Sequence, residues 1–409
     1  MPLTSRDPMA FYETVRGKDE RFIYVSSNYR MGLFGFASSA KEHMDANIGI
    51  YDVLAALEWT KRYIYLFGGD PNRITAFGHG AGAAMITTIL TGPKSIPLPF
   101  NKAILLSPTL MPDTSSKCDR EALWDEIVED AHCTSGGLRC IMTKTEDELM
   151  ALNADKVKNG DNISGGGSFG PWMGFVPVND GFFFPKPLPL LLAEGRVHPE
   201  LQAVLTSNTM NEGEGLAEDE HMPEYFSSLV RRPIPYATNN TVKMLHDRLP
   251  PYQQPKELAW NWITASWAAC NSMLIARAYA KIGGGRGKAS RFIFSVPPGL
   301  HGSDLAYLMG HDQSISSDRD SSMANRLLPY IKDFIVGNSV ELPILPGKPH
   351  WPLYGPPADI MNFKEQAMEV TFDPWDKNGF CDAFVEALKN RKGEEALSRG
   401  LRLPVLVGQ

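Results

Sequence analysis

Residues 74–85 contain a short apolar strand pattern, a turn of small residues and an alanine-rich helix pattern. The turn reads G-H-G-A-G at positions 78–82, which matches the G-x-S-x-G pattern of a nucleophile elbow except at its centre. In such an elbow a serine hydroxyl stands at the end of a strand and attacks a carbonyl carbon. Here the central residue is Gly80, which has no side chain. The motif therefore predicts an acyl-transfer site that lacks its nucleophile.

The bulk composition excludes several other functions. The chain has 409 residues, of which 43% are hydrophobic and 21% are charged, as in ordinary globular proteins. Its net charge of −7, with acidic and basic residues interspersed, argues against nucleic acid as a partner. No apolar run reaches the roughly 18 residues of a membrane span. Residues 1–7 lack the apolar core of a signal peptide, so the compartment stays open: cytoplasmic by default, secreted if the amino terminus is truncated.

The sequence predicts no cofactor and no metal. None of the nine histidines and five cysteines shows the spacing of metal ligands. The glycine-rich stretch 283–287 follows a helical pattern and precedes a strand pattern. A phosphate-binding loop needs the opposite order, so we interpret this stretch as a connection.

The elements that would position the elbow alternate along the chain. Strand patterns alternating with helical patterns predict an α/β protein with a mostly parallel central sheet, flanked by helices on both faces. We predict a single domain over residues 1–409. The predicted strands are 22–29, 74–77, 102–107, 201–207 and 291–296, the predicted helices are 47–67, 83–90, 121–132, 257–281, 325–335 and 382–390, and residues 155–171 are predicted to form a surface loop.

Six blocks in a fixed order resemble the type-B carboxylesterase and lipase family, the group of α/β-hydrolases that includes the cholinesterases. The resemblance covers nearly the whole chain and implies the α/β-hydrolase fold. The blocks are Asn28-Tyr29-Arg30 with Gly32, Gly35 and Phe36; Asn47, Gly49, Asp52, Ala56, Leu57 and Trp59; Phe67-Gly68-Gly69-Asp70-Pro71; Leu106-Ser107; Asn211-Glu212-Gly213; and His301-Gly302-Ser303-Asp304-Leu305, while Trp351-Pro352 and Cys381-Asp382 fit the family's carboxyl-terminal end.

Two features depart from the family pattern. The first is Gly80 in place of the serine, preceded by His79 in place of the usual glutamate. The second is a short front, because family members carry further strands and a Gly-Gly-Gly-Phe loop before the Asn28 block. That loop donates N–H groups to the oxyanion, and the chain as written does not contain it. A truncated gene model and a true deletion both account for this, and we expect the amino-terminal strands and the oxyanion loop to be missing.

The resemblance implies a triad site in which Gly80 stands at the nucleophile position. His301 matches the general base, and Glu212 matches the carboxylate that orients it. Glu214, two residues further on, is the alternative carboxylate. The remaining oxyanion donor would be the N–H group of Ala81, with Ala84 as a second candidate.

Two more residues have supporting positions by the same resemblance. Ser107 would lie beneath the elbow near the histidine, where it is structural, although its use as a replacement nucleophile is an alternative. His79 would lie beside Gly80, where it either fills the space of the family's glutamate or acts as an acid or base. Asp304 and Ser303 are expected to cap the helix that follows His301.

Glycine at the elbow also has a conformational explanation. The elbow residue of the family sits at positive φ, which strains serine and costs glycine little. Replacing the serine of a working triad costs on the order of 10⁶ in kcat. We therefore expect impaired ester hydrolysis in a protein that is vestigial or repurposed for non-hydrolytic chemistry on a small apolar ester or related molecule, for instance in a fungal biosynthetic pathway. The alternatives are a working ester hydrolase with an altered sequence and a non-catalytic binding protein of the neuroligin-like kind.

Two structural expectations complete the sequence analysis. Cys133 and Cys140 are close enough to form a disulfide in an oxidising compartment, and equally can be free thiols. The absence of amino-terminal strands would leave a sheet edge exposed near 22–29, and exposed edges favour pairing between molecules. The sequence therefore predicts self-association or poor solubility.

Overall fold

A computed structural model describes residues 22–110, 117–159, 175–214, 223–282, 288–309, 317–337, 339 and 341–389. These residues contain one six-stranded sheet with the strands in chain order. The strands are β1 Thr75–His79, β2 Lys102–Leu106, β3 Ala203–Thr209, β4 Ala289–Phe294, β5 Asp359–Phe363 and β6 Met368–Phe372. Strands β1 to β5 pair in parallel and β6 is antiparallel to β5. The predicted mostly parallel sheet is confirmed.

Helices connect the strands and cover both faces of the sheet. Parallel neighbours need crossover connections of a dozen or more residues, and helices provide them here. The α-helices are α1 Gly32–Phe36, α2 Ile48–Tyr63, α3 Ala81–Thr91, α4 Lys117–Asp130, α5 Gly137–Ile141, α6 Glu146–Asn159, α7 Leu188–Ala193, α8 Pro223–Arg231, α9 Asn239–His246, α10 Pro255–Ile263, α11 Cys270–Ile282, α12 Ser303–Met309, α13 Ser317–Val336, α14 Pro374–Lys377 and α15 Phe380–Lys389.

The central strands are buried on both faces, so their residues alternate between two hydrophobic cores. In β2, Ala103 and Leu105 belong to the larger core, whereas Ile104 and Leu106 belong to the core on the opposite face. Every residue of β2, β3 and β4 is buried. Burial on both faces agrees with the continuous apolar run at 103–106 in β2. Strands β3 and β4 also bury polar residues, among them Thr206 and Arg291.

Helices α10 and α11 are joined by a π-helical stretch, Thr264–Ala269, that lies next to the candidate site. The Thr264 hydroxyl accepts a hydrogen bond from the Gly213 N–H at 2.9 Å, and the Trp267 carbonyl accepts one from the Leu110 N–H at 3.1 Å. The sequence predicted this region as one helix over 257–281. The structure confirms the helical course and adds the widened turn, a feature that often occurs at functional sites.

Two predictions about local structure were wrong. Residues 22–31 form no strand, and Ile23, Tyr24 and Val25 are exposed. Residues 155–159, predicted as part of a loop, are the last turn of α6, and the rest of that predicted loop and the 283–287 connection lie outside the described residues. The β-branched and aromatic run at 22–29 has strand propensity, but propensity alone does not supply a pairing partner.

At the described edge of the sheet, β1 pairs with β2 alone. Near the end of α2 the large apolar side chains of Trp59, Tyr65, Leu66 and Phe67 are exposed. Self-association stays a prediction, and sedimentation velocity over a range of concentrations would test it.

The described part of the chain contains two disulfides. Cys133 and Cys140, with Cα atoms 5.4 Å apart, close the short turn between α4 and α5. Cys270 and Cys381, with Cα atoms 5.3 Å apart and both side chains fully buried, fasten α15 to the start of α11. The sequence analysis left the first pair open and did not identify the second, because residues 111 positions apart come together only through the fold.

Candidate active site

The elbow lies where β1 passes into α3. Gly80 is the N-cap of α3 with φ 56° and ψ −122°, so the positive φ expected for the elbow is confirmed. Its N–H donates to the Leu106 carbonyl at 2.9 Å, which ties the turn to the end of β2. A non-glycine residue in this backbone conformation costs on the order of 1–3 kcal/mol. Gly80 therefore relieves a strain that a serine would impose.

The carboxylate of Glu212 lies at the end of the neighbouring strand β3. Its oxygen Oε1 accepts hydrogen bonds of 2.5 Å from both the Ser107 hydroxyl and the Thr209 N–H. Its oxygen Oε2 accepts a 2.5 Å hydrogen bond from Nδ1 of His301. Glu212 is only 2% exposed. Three donors fix this carboxylate, whereas Glu214 makes no such contact with the imidazole among the described residues, so the geometry favours Glu212 as the orienting acid.

The loop that carries His301 follows β4 and is joined to the Glu212 loop. The Asn211 N–H donates to the Gly299 carbonyl at 2.8 Å, and the Asn211 side-chain amide donates to the Pro298 carbonyl at 2.8 Å. These bonds lie directly before the two site residues in sequence. They hold the acidic loop and the histidine loop in one relative position, so the contact between His301 and Glu212 is preorganised.

Nε2 of His301 points towards the elbow. A Cβ atom placed on Gly80 would lie 2.7 Å from Nε2 and 3.3 Å from Cε1 of His301. Real Cβ atoms do not approach another atom to 2.7 Å, so the imidazole occupies space that a side chain at position 80 would need. The imidazole is 32% exposed, which leaves it accessible to a ligand.

The buried carboxylates of the site have opposite pKa shifts. Burial alone raises the pKa of Glu212, but the positive charge of His301 and the three hydrogen bonds outweigh it and hold the pKa below its usual value. Burial and the neighbouring Glu212 raise the pKa of Asp304 to about 7. Glu212 is therefore ionised at neutral pH, while Asp304, beside it, holds a proton through much of the acidic range.

Asp304 has a larger role than its sequence position suggested. Asp304 and Ser303 are the first two residues of α12 rather than its cap, and one oxygen of Asp304 accepts the adjacent Leu305 N–H at 2.9 Å. The other oxygen accepts a 3.4 Å hydrogen bond from the Ser207 hydroxyl on β3, and the side chain is fully buried. Sequence reasoning did not identify Ser207, because an alternating or continuous strand pattern does not show which hydroxyl will face a carboxyl group.

Ser107 and His79 flank the site on two sides. Ser107 is fully buried at φ 48°, a conformation that is strained for serine, and its hydroxyl is held by Glu212. A hydroxyl enclosed behind the carboxylate is poorly placed to meet a substrate, which favours the structural alternative for Ser107. The His79 and His301 rings lie 4.5 Å apart between centroids with their planes tilted by 41°. The His79 ring therefore packs against the imidazole of His301, in addition to lying next to Gly80 in the sequence.

The two candidate oxyanion donors differ. Ala81 is the first residue of α3, and the first N–H groups of a helix have no partner within the helix. The Ala84 N–H donates to the Gly80 carbonyl at 3.0 Å, so it is occupied within α3. The prediction of Ala84 as a second oxyanion donor was therefore wrong, and the N–H group of Ala81 remains the candidate.

The chemistry available here is that of an oriented imidazole. Glu212 fixes the proton of His301 on Nδ1, which turns the lone pair of Nε2 towards the elbow. No group of three or more histidine, cysteine, aspartate or glutamate side chains within the described ranges is arranged to hold a metal ion. Nor does any helix of the described segments have the length and apolar character to cross a membrane.

Gly80, Glu212 and His301 follow β1, β3 and β4 and meet at the carboxyl ends of these parallel strands, where α/β proteins bind their ligands. An elbow, an acidic residue and a histidine in this chain order, on such a sheet, are the arrangement of an α/β-hydrolase. The chain belongs to the carboxylesterase family, because the sequence model of the Carboxylesterase family matches residues 8–255.

Curated and solved relatives agree with this assignment. The chain is 30% identical over 365 residues to "Carboxylesterase patB" of Penicillium expansum, covering 85% of this chain and 61% of that protein. It is 29% identical over 377 residues to "Carboxylesterase patB" of Aspergillus clavatus, covering 88% and 63%. The chain thus spans less than two thirds of the length of these relatives. The crystal structure of Aspergillus niger EstA shares the fold, with a TM-score of 0.73 at 20% identity over 88% of this chain and 74% of that chain.

Proposed function

We propose that this chain is a carboxylesterase-family protein that no longer hydrolyses esters through a serine and uses His301, oriented by Glu212, to move a proton on a small apolar molecule. The observation that carries the proposal is that two members of the triad are present and in contact, whereas the third is absent. The imidazole and the carboxylate are in contact at 2.5 Å, while the nucleophile position holds only glycine. A base that is correctly oriented retains its use in chemistry that needs no covalent intermediate.

The position of the imidazole supports proton transfer over simple loss of function. Nε2 stands at the carboxyl edge of the sheet, and the side chain is partly exposed. Met210 and Leu300, exposed residues on the adjoining loops, give the surroundings apolar surface. The two relatives named above are carboxylesterases of fungi.

A substrate with a removable proton and no acyl group tests this proposal. Nitrobenzisoxazole opens its ring when a base removes one carbon-bound proton, so it reports general-base activity alone. We expect His301→Ala to lose about 10²-fold or more of the rate. His246→Ala is the matched control, because His246 lies on α9 and contacts Asp247 and Tyr252 rather than the site. Equal rates for the His301→Ala variant and the unchanged chain would refute the proposal.

A further inference from the structure

The position of Nε2 suggests a second activity. In a serine elbow, the nucleophile projects from the Cβ of the central residue into the space in front of the helix. Here that Cβ position would be 2.7 Å from Nε2 of His301, so the imidazole nitrogen itself stands where the attacking group would emerge. The N–H group of Ala81, at the start of α3, lies at the same turn. The imidazole nitrogen and the candidate oxyanion donor therefore lie at the same turn.

We propose that Nε2 of His301 is itself a nucleophile towards activated acyl donors, namely aryl esters and thioesters, and forms an acyl-imidazole intermediate at the elbow. Histidine is an established covalent nucleophile in enzymes. The inference rests on the same His301 and Glu212 pair as the proposed function, but it adds bond formation to carbon. The imidazole acts as a base towards a proton donor and as a nucleophile towards an acyl donor.

The steps balance without any further reactant except water. The lone pair of Nε2 forms a bond to the acyl carbon, and the bond from that carbon to the leaving oxygen or sulfur breaks to release a phenolate or thiolate. The acyl-imidazolium still carries its proton on Nδ1, in contact with the carboxylate of Glu212. Water then attacks the acyl carbon, the bond to Nε2 breaks and its electron pair returns to the ring. Of the two protons that water brings, one stays on the carboxylic acid formed, and the other passes through solvent to the phenolate or thiolate.

Leaving-group chemistry limits the substrates. The tetrahedral intermediate expels whichever group is the better leaving group, and the conjugate acid of the histidine imidazole has a reference pKa near 6.5. Phenols, near 10, and thiols, near 8.5, compete with imidazole as leaving groups. Alkoxides are far more basic, so the intermediate formed from an alkyl ester expels the imidazole and returns to the reactants. We therefore expect turnover of aryl esters and thioesters and none of simple alkyl esters, whereas a serine enzyme hydrolyses both.

Gly80 is required for this activity. An alanine at position 80 would place its Cβ 2.7 Å from Nε2, and ordinary contact begins near 3.4 Å, so the ring must retreat by about 0.7 Å (3.4 − 2.7). A displacement of this size costs on the order of 10²-fold in rate for a reaction that depends on orientation. Gly82 is the matched control, because a Cβ there has no atom within 4 Å. Gly82→Ala changes the same turn without the collision.

The test is partitioning of the acyl group between water and hydroxylamine. The full chain is given p-nitrophenyl acetate or S-phenyl thioacetate, with enzyme-free rates subtracted. A common acyl-imidazole predicts the same ratio of acetohydroxamate to acetate from both donors, loss of turnover in His301→Ala, a loss on the order of 10²-fold in Gly80→Ala, and turnover within about twofold in Gly82→Ala. Circular dichroism of each variant checks that it is folded.

Two results would overturn the inference. One is a product ratio that depends on the leaving group, which means that water and hydroxylamine attack the donor directly with His301 as their base. The other is acyl transfer that survives His301→Ala, which means that another residue accepts the acyl group. In either case the nitrobenzisoxazole rate decides separately whether the proposed proton transfer stands, so failure of the covalent step and failure of the base are distinguishable.

Discussion

Replacing Glu212 by glutamine should change which nitrogen of His301 carries the proton. The carboxylate accepts hydrogen bonds from the Thr209 N–H, the Ser107 hydroxyl and Nδ1 of His301. A glutamine amide has one oxygen and one NH₂ group. The backbone N–H of Thr209 can only donate, so the amide oxygen of the glutamine must occupy the position that Oε1 has in Glu212. The NH₂ group then occupies the position of Oε2 and faces Nδ1 of His301. Nδ1 must become an acceptor, which moves the ring proton to Nε2.

The expected loss of activity follows from this tautomer change. With a proton on Nε2, the atom that faces the elbow has no lone pair to accept a proton or to attack an acyl carbon. Holding a catalytic histidine in the wrong tautomer lowers kcat by about 10⁴-fold in a serine protease, and general-base contributions are typically about 10²–10⁴-fold. We expect both the nitrobenzisoxazole and the p-nitrophenyl acetate rates to fall within that range.

The assay has a readout that does not depend on activity. Nitrogen-15 NMR of the imidazole distinguishes a protonated nitrogen from an unprotonated one, so the tautomer of His301 can be measured directly. Glu214→Gln is the control, because Glu214 adjoins the same loop and its N–H is bonded to the Asn211 carbonyl at 3.2 Å. Its rates should stay within about twofold. If Glu212→Gln keeps the proton on Nδ1 and retains its rates, the assigned role of Glu212 is wrong.

Three further predictions concern stability. Gly80→Ser should lower the free energy of unfolding by about 1–3 kcal/mol because of its positive φ and its contact with the imidazole, whereas Gly82→Ser should change it by less than about 0.5 kcal/mol; urea denaturation compares the two. Replacing Cys270 and Cys381 together by alanine should cost about 2–5 kcal/mol, since their disulfide closes a long loop; an unchanged urea midpoint would contradict this. The pKa of Asp304 is raised from 3.8 to about 7, so its contribution to stability is full below about pH 4 and is lost as the pH rises through 7. In Asp304→Asn the free energy of unfolding should therefore fall less between about pH 5 and 8 than it does in the unchanged chain.

The short-range features of the site could be predicted because they depend on neighbouring residues. The elbow pattern at 78–82 specifies a strand, a tight turn and a helix, and the positive φ of Gly80 follows from that turn. Residues Glu212 and His301 were predicted by their sequence blocks rather than by any local physical rule. Their pairing depends on the adjacency of β3 and β4, which the alternation of strands and helices made the natural expectation.

Features that depend on packing could not be predicted in the same way. The strand expected at 22–29 failed because strand formation needs a partner edge. Strands β5 and β6 were not identified, and the disulfide between Cys270 and Cys381 was not foreseen. The proton held by Asp304 depends on complete burial and on Glu212 beside it, and neither is visible in the order of residues.

The amino-acid sequence by itself determined the family, the parallel α/β architecture and the loss of the serine, because these depend on residue identity and on periodic patterns that local sterics and burial impose. Only the tertiary structure decided which atom lies beside the glycine at position 80. The distance from Nε2 of His301 to position 80 is set by Asn211, Glu212 and the loops after two separate strands. Such a distance results from many long-range contacts acting together, so no segment of the chain encodes it alone.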